Sequence, residues 1–205
     1  RSGRTAAPLA AYPARAGRWP AAVALLAFVA LELAYSDPSS PRTIAFAIAL
    51  YTYVALFGMV AFGRETWERS GEGFAVAFSY LARIAPLHAV DGRVRLRWPL
   101  TGLAGAEPTP GSVAVVSVML GSVLFDGYSR TTTWQDTLAE IEGPFLVDRP
   151  GVGELLVTLA SLGGLLVGAL LVGLAYVAAC ALARASVDAP RSLVPEFVLS
   201  LVPIA

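Results

Sequence analysis

The sequence is poor in charge, in cysteine and in histidine. Only 15% of its 205 residues are Asp, Glu, Lys or Arg, against about 25% in an ordinary soluble domain. So few charges cannot coat a soluble surface. The 56% apolar content and the mean hydropathy of +0.65 also exclude intrinsic disorder. A single cysteine, Cys180, and a single histidine, His88, exclude a disulfide framework, and exclude a zinc finger or iron–sulfur site built from this chain alone. Lysine and asparagine are absent, so all 15 basic residues are arginine. Balanced by 15 acidic residues, they give no bulk field for nucleic acid. Nothing in the sequence calls for a cofactor. What is left is the pattern of an integral membrane protein, with the lipid bilayer as its first partner.

The fold class this implies is all-α: one transmembrane helical domain over residues 1–205, a polytopic bundle of about four spans and a truncated fifth. About 20 mostly apolar residues cover the roughly 30 Å of hydrocarbon. The first candidate span, 19–35, opens on Trp19 and Pro20 and closes at Asp37–Pro38–Ser39–Ser40–Pro41. The second, 43–62, contains no charge. The third, 111–128, has a short strictly apolar part, Val113 to Phe125, and a re-entrant hairpin is its rival. The fourth, 154–183, would be about 45 Å long and must tilt or project. Residues 193–205 are apolar to the last residue and read as a span cut short, as expected of a piece of a longer protein.

Arginine sets the expected orientation. Twelve arginines fall before the first span, in the connection 63–110 and after the fourth span, and three fall in the other connections. By the positive-inside rule the N-terminus is cytoplasmic.

Within the cytoplasmic connection, Phe74, Phe78, Leu81 and Ile84–Ala85 recur at helical spacing. The stretch 73–85 reads as an amphipathic helix lying on the inner interface, with a short re-entrant helix as the alternative. Val90–Asp91–Gly92–Arg93 and the alternation Arg93–Val94–Arg95–Leu96–Arg97 signal a small β-hairpin whose three arginines share one face and suit anionic headgroups. In the outer connection, 129–152, Thr132 and Gln135 resemble a capping box, with Trp134, Leu138 and Ile141 on one face of a short helix.

Ionisable groups inside a membrane are costly, which makes each a functional candidate. Glu32, Asp126 and Glu154 all fall near the outer rim, with Asp37 and Asp148 close by. Carboxylates from separate helices can hold a cation, relay protons or pair with Arg42, Arg130 or Arg149. Glu32 and Asp126 are the candidate catalytic groups, and Glu154 joins them as a candidate metal ligand. The plainer alternative is that Glu32 snorkels, that Asp126 marks where water begins and that Glu154 suits a helix N-terminus. A Ser-His-Asp triad is excluded, because His88 falls on the inner side and the carboxylates on the outer. Glu196 after Pro195 is ordinary helix-start chemistry, and Cys180 is packing. Gly164-x-x-x-Gly168 lets another helix approach closely, within the chain or in a homo-oligomer or membrane complex. Trp19, Trp67, Trp98 and Trp134 read as belt anchors.

Four strings carry a family likeness: Tyr12–Pro13–Ala14–Arg15–Ala16–Gly17–Arg18–Trp19–Pro20, Glu65–Thr66–Trp67–Glu68–Arg69, Ala82–Arg83–Ile84–Ala85–Pro86–Leu87 and Phe125–Asp126–Gly127–Tyr128–Ser129. Together they resemble an actinobacterial family of multi-pass membrane proteins often labelled fenitrothion hydrolase, over most of the chain. That resemblance implies a bacterial plasma-membrane location and hydrolysis of an organophosphate ester. The residues themselves leave three functions open: a transport or permease-like protein using the outer carboxylates, a membrane hydrolase, and a non-catalytic subunit of a membrane complex.

Overall fold

A computed structural model describes residues 7–90, 92–98, 102, 109–145 and 149–186. Asp91, Asp148, Glu196 and the expected span at 193–205 lie outside the described residues. The described chain is an all-α bundle with one small hairpin. Its helices are α1 (Trp19–Leu33), α2 (Pro41–Phe62), α3 (Arg64–Ser70), α4 (Gly73–Ile84), α5 (Ser112–Ser129), α6 (Thr132–Glu142) and α7 (Pro150–Ser186), and a 3₁₀ turn at Gly143–Phe145 follows α6. The strands β1 (Leu87–Val90) and β2 (Arg93–Leu96) pair antiparallel, Leu87 opposite Leu96 and Val90 opposite Arg93.

Local chemistry accounts for the helix ends. Pro20 and Pro41 fall in the first turns of α1 and α2, where a missing N–H costs nothing. The Ser40 side chain accepts from the Thr43 N–H, and the Glu72 carboxylate accepts from the N–H groups of Phe74 and Ala75, capping α4. The α6 cap falls one residue earlier than expected. Thr131 accepts from the Trp134 N–H at 3.4 Å, while the Gln135 amide donates to the Ser129 carbonyl at 2.7 Å.

Three helices, α2, α5 and α7, are long and apolar enough to cross a membrane, which marks a membrane protein. The first expected span falls short. At 15 residues, α1 is about 22 Å long, because the turn at residues 34–40 stops it early. α7 is longer than expected at 37 residues, about 55 Å.

Neighbour contacts give the helix directions. The Ala10 N–H donates to the Ala61 carbonyl, so the end of α2 returns to the start of α1. Arg18 N–H donates to the Pro110 carbonyl, so α5 starts at that same end. α7 runs antiparallel to α5: Gly173 lies beside Ser117, Gly121 beside Ala169, and Gly164 beside Phe125. One end of the bundle therefore holds the chain before α1, α3, the start of α5 and the end of α7. The other holds the α1–α2 turn and α6.

The packing adds a second, small-residue face to α4. The large residues Phe78 and Leu81 are exposed, and the buried face is Gly73, Val76, Ala77 and Tyr80, set against Ala21, Ala22 and Leu25 of α1. A Cβ on Gly73 would lie 3.2 Å from the Ala24 side chain and 3.3 Å from the Ala21 carbonyl. Small residues let two backbones approach where lipid, and not water, surrounds the bundle. α4 thus runs back along the first half of α1, from Gly73 beside Ala21, Ala24 and Leu25 to Tyr80 beside Arg18. The Gly164/Gly168 face is filled from inside the chain, by Phe125, Trp134 and Gly121 of α5 and α6. Among the tryptophans read as belt anchors, Trp19 and Trp98 are exposed. Trp67 is instead buried between Gly58 and Gly71 and stacked on Phe62 at 5.9 Å.

Candidate functional site

The described carboxylates Glu32, Asp37, Asp126 and Glu154 form no shared site. Among the described residues no three His, Cys, Asp or Glu side chains come close enough to share a metal ion. Glu32 and Glu154 are exposed, and neither forms an ion pair or hydrogen bond among the described residues. Asp126 sits one turn from the end of α5, where one oxygen accepts from Arg130 Nη2 at 2.9 Å and Nε at 3.2 Å. That pair is solvent-facing and spaced i,i+4, a geometry worth about 0.3–0.5 kcal/mol. Phe125–Asp126–Gly127–Tyr128–Ser129 is continuous helix. Its aromatic members pack on Trp134, Phe125 at 5.5 Å and Tyr128 at 5.4 Å between ring centroids.

The buried polar chemistry lies at the opposite end, on residues that spacing alone did not single out. Arg18 stands immediately before α1. Its Nη1 donates to the Tyr80 hydroxyl of α4 and, at 3.3 Å, to the Ser112 hydroxyl of α5. The guanidinium carbon also lies 4.9 Å from the Tyr80 ring centroid, a cation–π distance. Tyr80 and Ser112 are both fully buried. Arg18 Nε is buried with no acceptor, and among the described residues no carboxylate pairs with this cation.

The backbone around Arg18 is shaped for this position. Gly17 at φ +46° and Gly111 at φ +84° both occupy the left-handed region. A Cβ on Gly111 would fall 2.6 Å from the Trp19 nitrogen, so the two segments touch through backbone. Tyr12 fastens the same loop by donating to the Gly17 carbonyl at 2.7 Å, and partial burial raises its pKa above the usual phenol value. The sequence signal for this site is thin: an arginine next to Trp19–Pro20 reads only as a topology charge. Tyr80 is 62 residues away and Ser112 is 94.

At the other polar feature of that end, Arg97 is not free for headgroups. It donates to three carbonyls at the end of α4: Ala82 at 2.8 Å, Arg83 at 3.0 Å and Ala85 at 3.0 Å. Arg93 and Arg95 make no such bonds among the described residues. Cys180 is buried in α7 beside Tyr176. The chain matches no family model, no curated protein and no solved structure.

Proposed function

We propose that the chain is a multi-pass protein of the bacterial plasma membrane, with its N-terminal segment cytoplasmic, and that it works as a helical subunit of a larger membrane assembly. One observation carries this reading. The midpoint of α2 is Tyr51–Thr52–Tyr53, and Thr52 and Tyr53 are exposed, Tyr53 at 70%. Neither hydroxyl has a hydrogen-bond partner among the described residues. Halfway along a span, a phenol is too far from either headgroup region to reach water. A hydroxyl left unpaired in hydrocarbon costs a few kcal/mol. A partner helix that offers a hydrogen-bonding group at the same depth removes that cost.

The gathering of arginine at one end of the bundle supports the orientation. The hydrolase reading implied by the resemblance is supported by no cluster of reactive side chains among the described residues. The transport reading is supported by the same α2 hydroxyls, if they line water.

Cysteine chemistry separates these readings. In a Cys180→Ala background, Thr52→Cys is expected to resist a membrane-impermeant maleimide in native membranes and, once it carries a membrane-permeant benzophenone maleimide, to photocross-link to the neighbouring subunit. Rapid labelling from the aqueous side would overturn the subunit reading in favour of a water-lined route. Resistance to labelling without any cross-link would leave α2 facing lipid and would also overturn it.

A further inference from the structure

The β1–β2 hairpin is amphipathic and has no core of its own. Arg93 and Arg95 alternate along β2 with Val94 and Leu96, and Leu87 stands opposite Leu96 in the register. The apolar set is almost bare: Leu87 is 61% exposed, Val94 74%, Leu96 79% and Trp98 82%. An isolated two-stranded hairpin is marginal in water, and one that displays this much apolar surface is worse. Its position is nonetheless fixed. Arg97 holds the end of β2 to the last carbonyls of α4, and the Arg97 N–H donates to the Pro86 carbonyl at 2.7 Å. α4 itself leads to the bundle end where Tyr80 meets Arg18, next to the exposed Trp19 that opens α1. The hairpin is therefore held at the level where the apolar helices begin.

We propose that this hairpin docks on the anionic phospholipid surface of the leaflet at that end, with Leu87, Val94, Leu96 and Trp98 in the headgroup–acyl boundary and Arg93 and Arg95 on headgroup phosphates. Three features fit this occupant. The alternation is apolar and cationic, which matches an interface that is hydrocarbon on one side and phosphate on the other. Arg93 and Arg95 have no carboxylate partner among the described residues. Tryptophan suits the depth that Trp98 would take. The inference is independent of what covers α2.

The test places an environment-sensitive fluorophore on Val94→Cys in a Cys180→Ala background. The full chain goes into nanodiscs of phosphatidylcholine alone, or of phosphatidylcholine with about one third phosphatidylglycerol. Both disc faces are identical, so the result does not depend on which end is cytoplasmic. With phosphatidylglycerol the probe is expected to shift to the blue and to be shielded from acrylamide, and high salt should reverse much of this. Replacing both Arg93 and Arg95 by Gln is expected to lower the docked-to-free ratio about thirtyfold. Leu96→Ser should weaken docking in either lipid. Soluble glycerol phosphate should not displace the probe, because it offers no apolar boundary. A probe equally exposed in both lipids, or equally shielded in both and unmoved by the arginine changes, overturns the proposal. So does displacement by soluble glycerol phosphate.

Discussion

Arg18 uses Tyr80 twice: Nη1 donates to its hydroxyl, and the guanidinium lies over its ring at 4.9 Å from the centroid. One cation thereby ties the start of α1 to α4, and through Ser112 to α5. Three helices that meet through small residues at one end have few large side chains to interlock there. A shared polar anchor supplies the register that apolar packing leaves soft.

Removing either partner should therefore cost stability. Tyr80→Phe keeps the ring and deletes the acceptor, and a hydrogen bond to a charged donor is worth about 1.5–3 kcal/mol. Arg18→Leu removes the donor to the buried Tyr80 hydroxyl, with a loss of about 1–3 kcal/mol, while the Ser112 hydroxyl keeps the Thr109 N–H at 3.4 Å. Arg18→Lys should not restore the wild-type value, since an ammonium cannot reproduce the planar fork. Thermal unfolding in detergent reads all three. A Tyr80→Phe variant as stable as wild type would remove the anchor from this account.

Gly58 offers a second test, at the joint between α2 and α3. The Trp67 indole lies where a Cβ on Gly58 would stand, and Gly71 covers another part of the same ring. Because the neighbour is a rigid, buried ring and not the end of a flexible chain, Gly58→Ala should force α2 away from α3. Overpacking of this kind costs about 1–3 kcal/mol. Gly127→Ala, at a helical glycine with open space where the Cβ would be, is the control and should be neutral or slightly stabilising. Disulfide cross-linking between α2 and α4 should slow in Gly58→Ala alone.

Much of this architecture is legible in the residues, and what is not has a common cause. The helix over 73–84, the hairpin at 87–96 and the short helix with Trp134, Leu138 and Ile141 half-buried follow from periodicity and turn chemistry. Periodicity in the large residues misses the small-residue face of α4, Gly73, Val76, Ala77 and Tyr80, that packs on α1. It also fails on Trp67, whose burial depends on Gly58 nine residues earlier and on the unexpected α3. The carboxylates Glu32, Asp126 and Glu154 stand out because charge in a span is conspicuous. Arg18 reads as one topology charge among twelve, because no local spacing links it to Tyr80 or Ser112.

The exposed carboxylates make a contrasting prediction. Glu32→Gln and Glu154→Gln remove groups with no partner among the described residues, so thermal stability should stay within about 0.5 kcal/mol of wild type. Asp126→Asn should lose about 0.3–0.5 kcal/mol, and only at low salt. Any of the three that abolishes activity or assembly while leaving the melting temperature unchanged identifies a functional carboxylate. A large stability loss instead would show a buried contact that this structure does not contain.

The seam between α5 and α7 is where the bundle tolerates least. A Cβ on Gly121 would collide with the Ala169 backbone, while one on Gly164 would lie 2.5 Å from Cε2 of the Phe125 ring. These two sites differ in what must yield. A ring can rotate or shift a little, whereas a helix backbone moves only if the whole helix does. Gly121→Ala should therefore destabilise more than Gly164→Ala, and Gly163→Ala, with open space at its Cβ, should be close to neutral. If instead the Gly164 face served a second chain, Gly164→Leu would dissolve an oligomer while leaving the monomer folded. Size-exclusion chromatography with light scattering, run beside thermal unfolding, separates these outcomes. Loss of fold without a prior change in mass is the result expected of an internal seam.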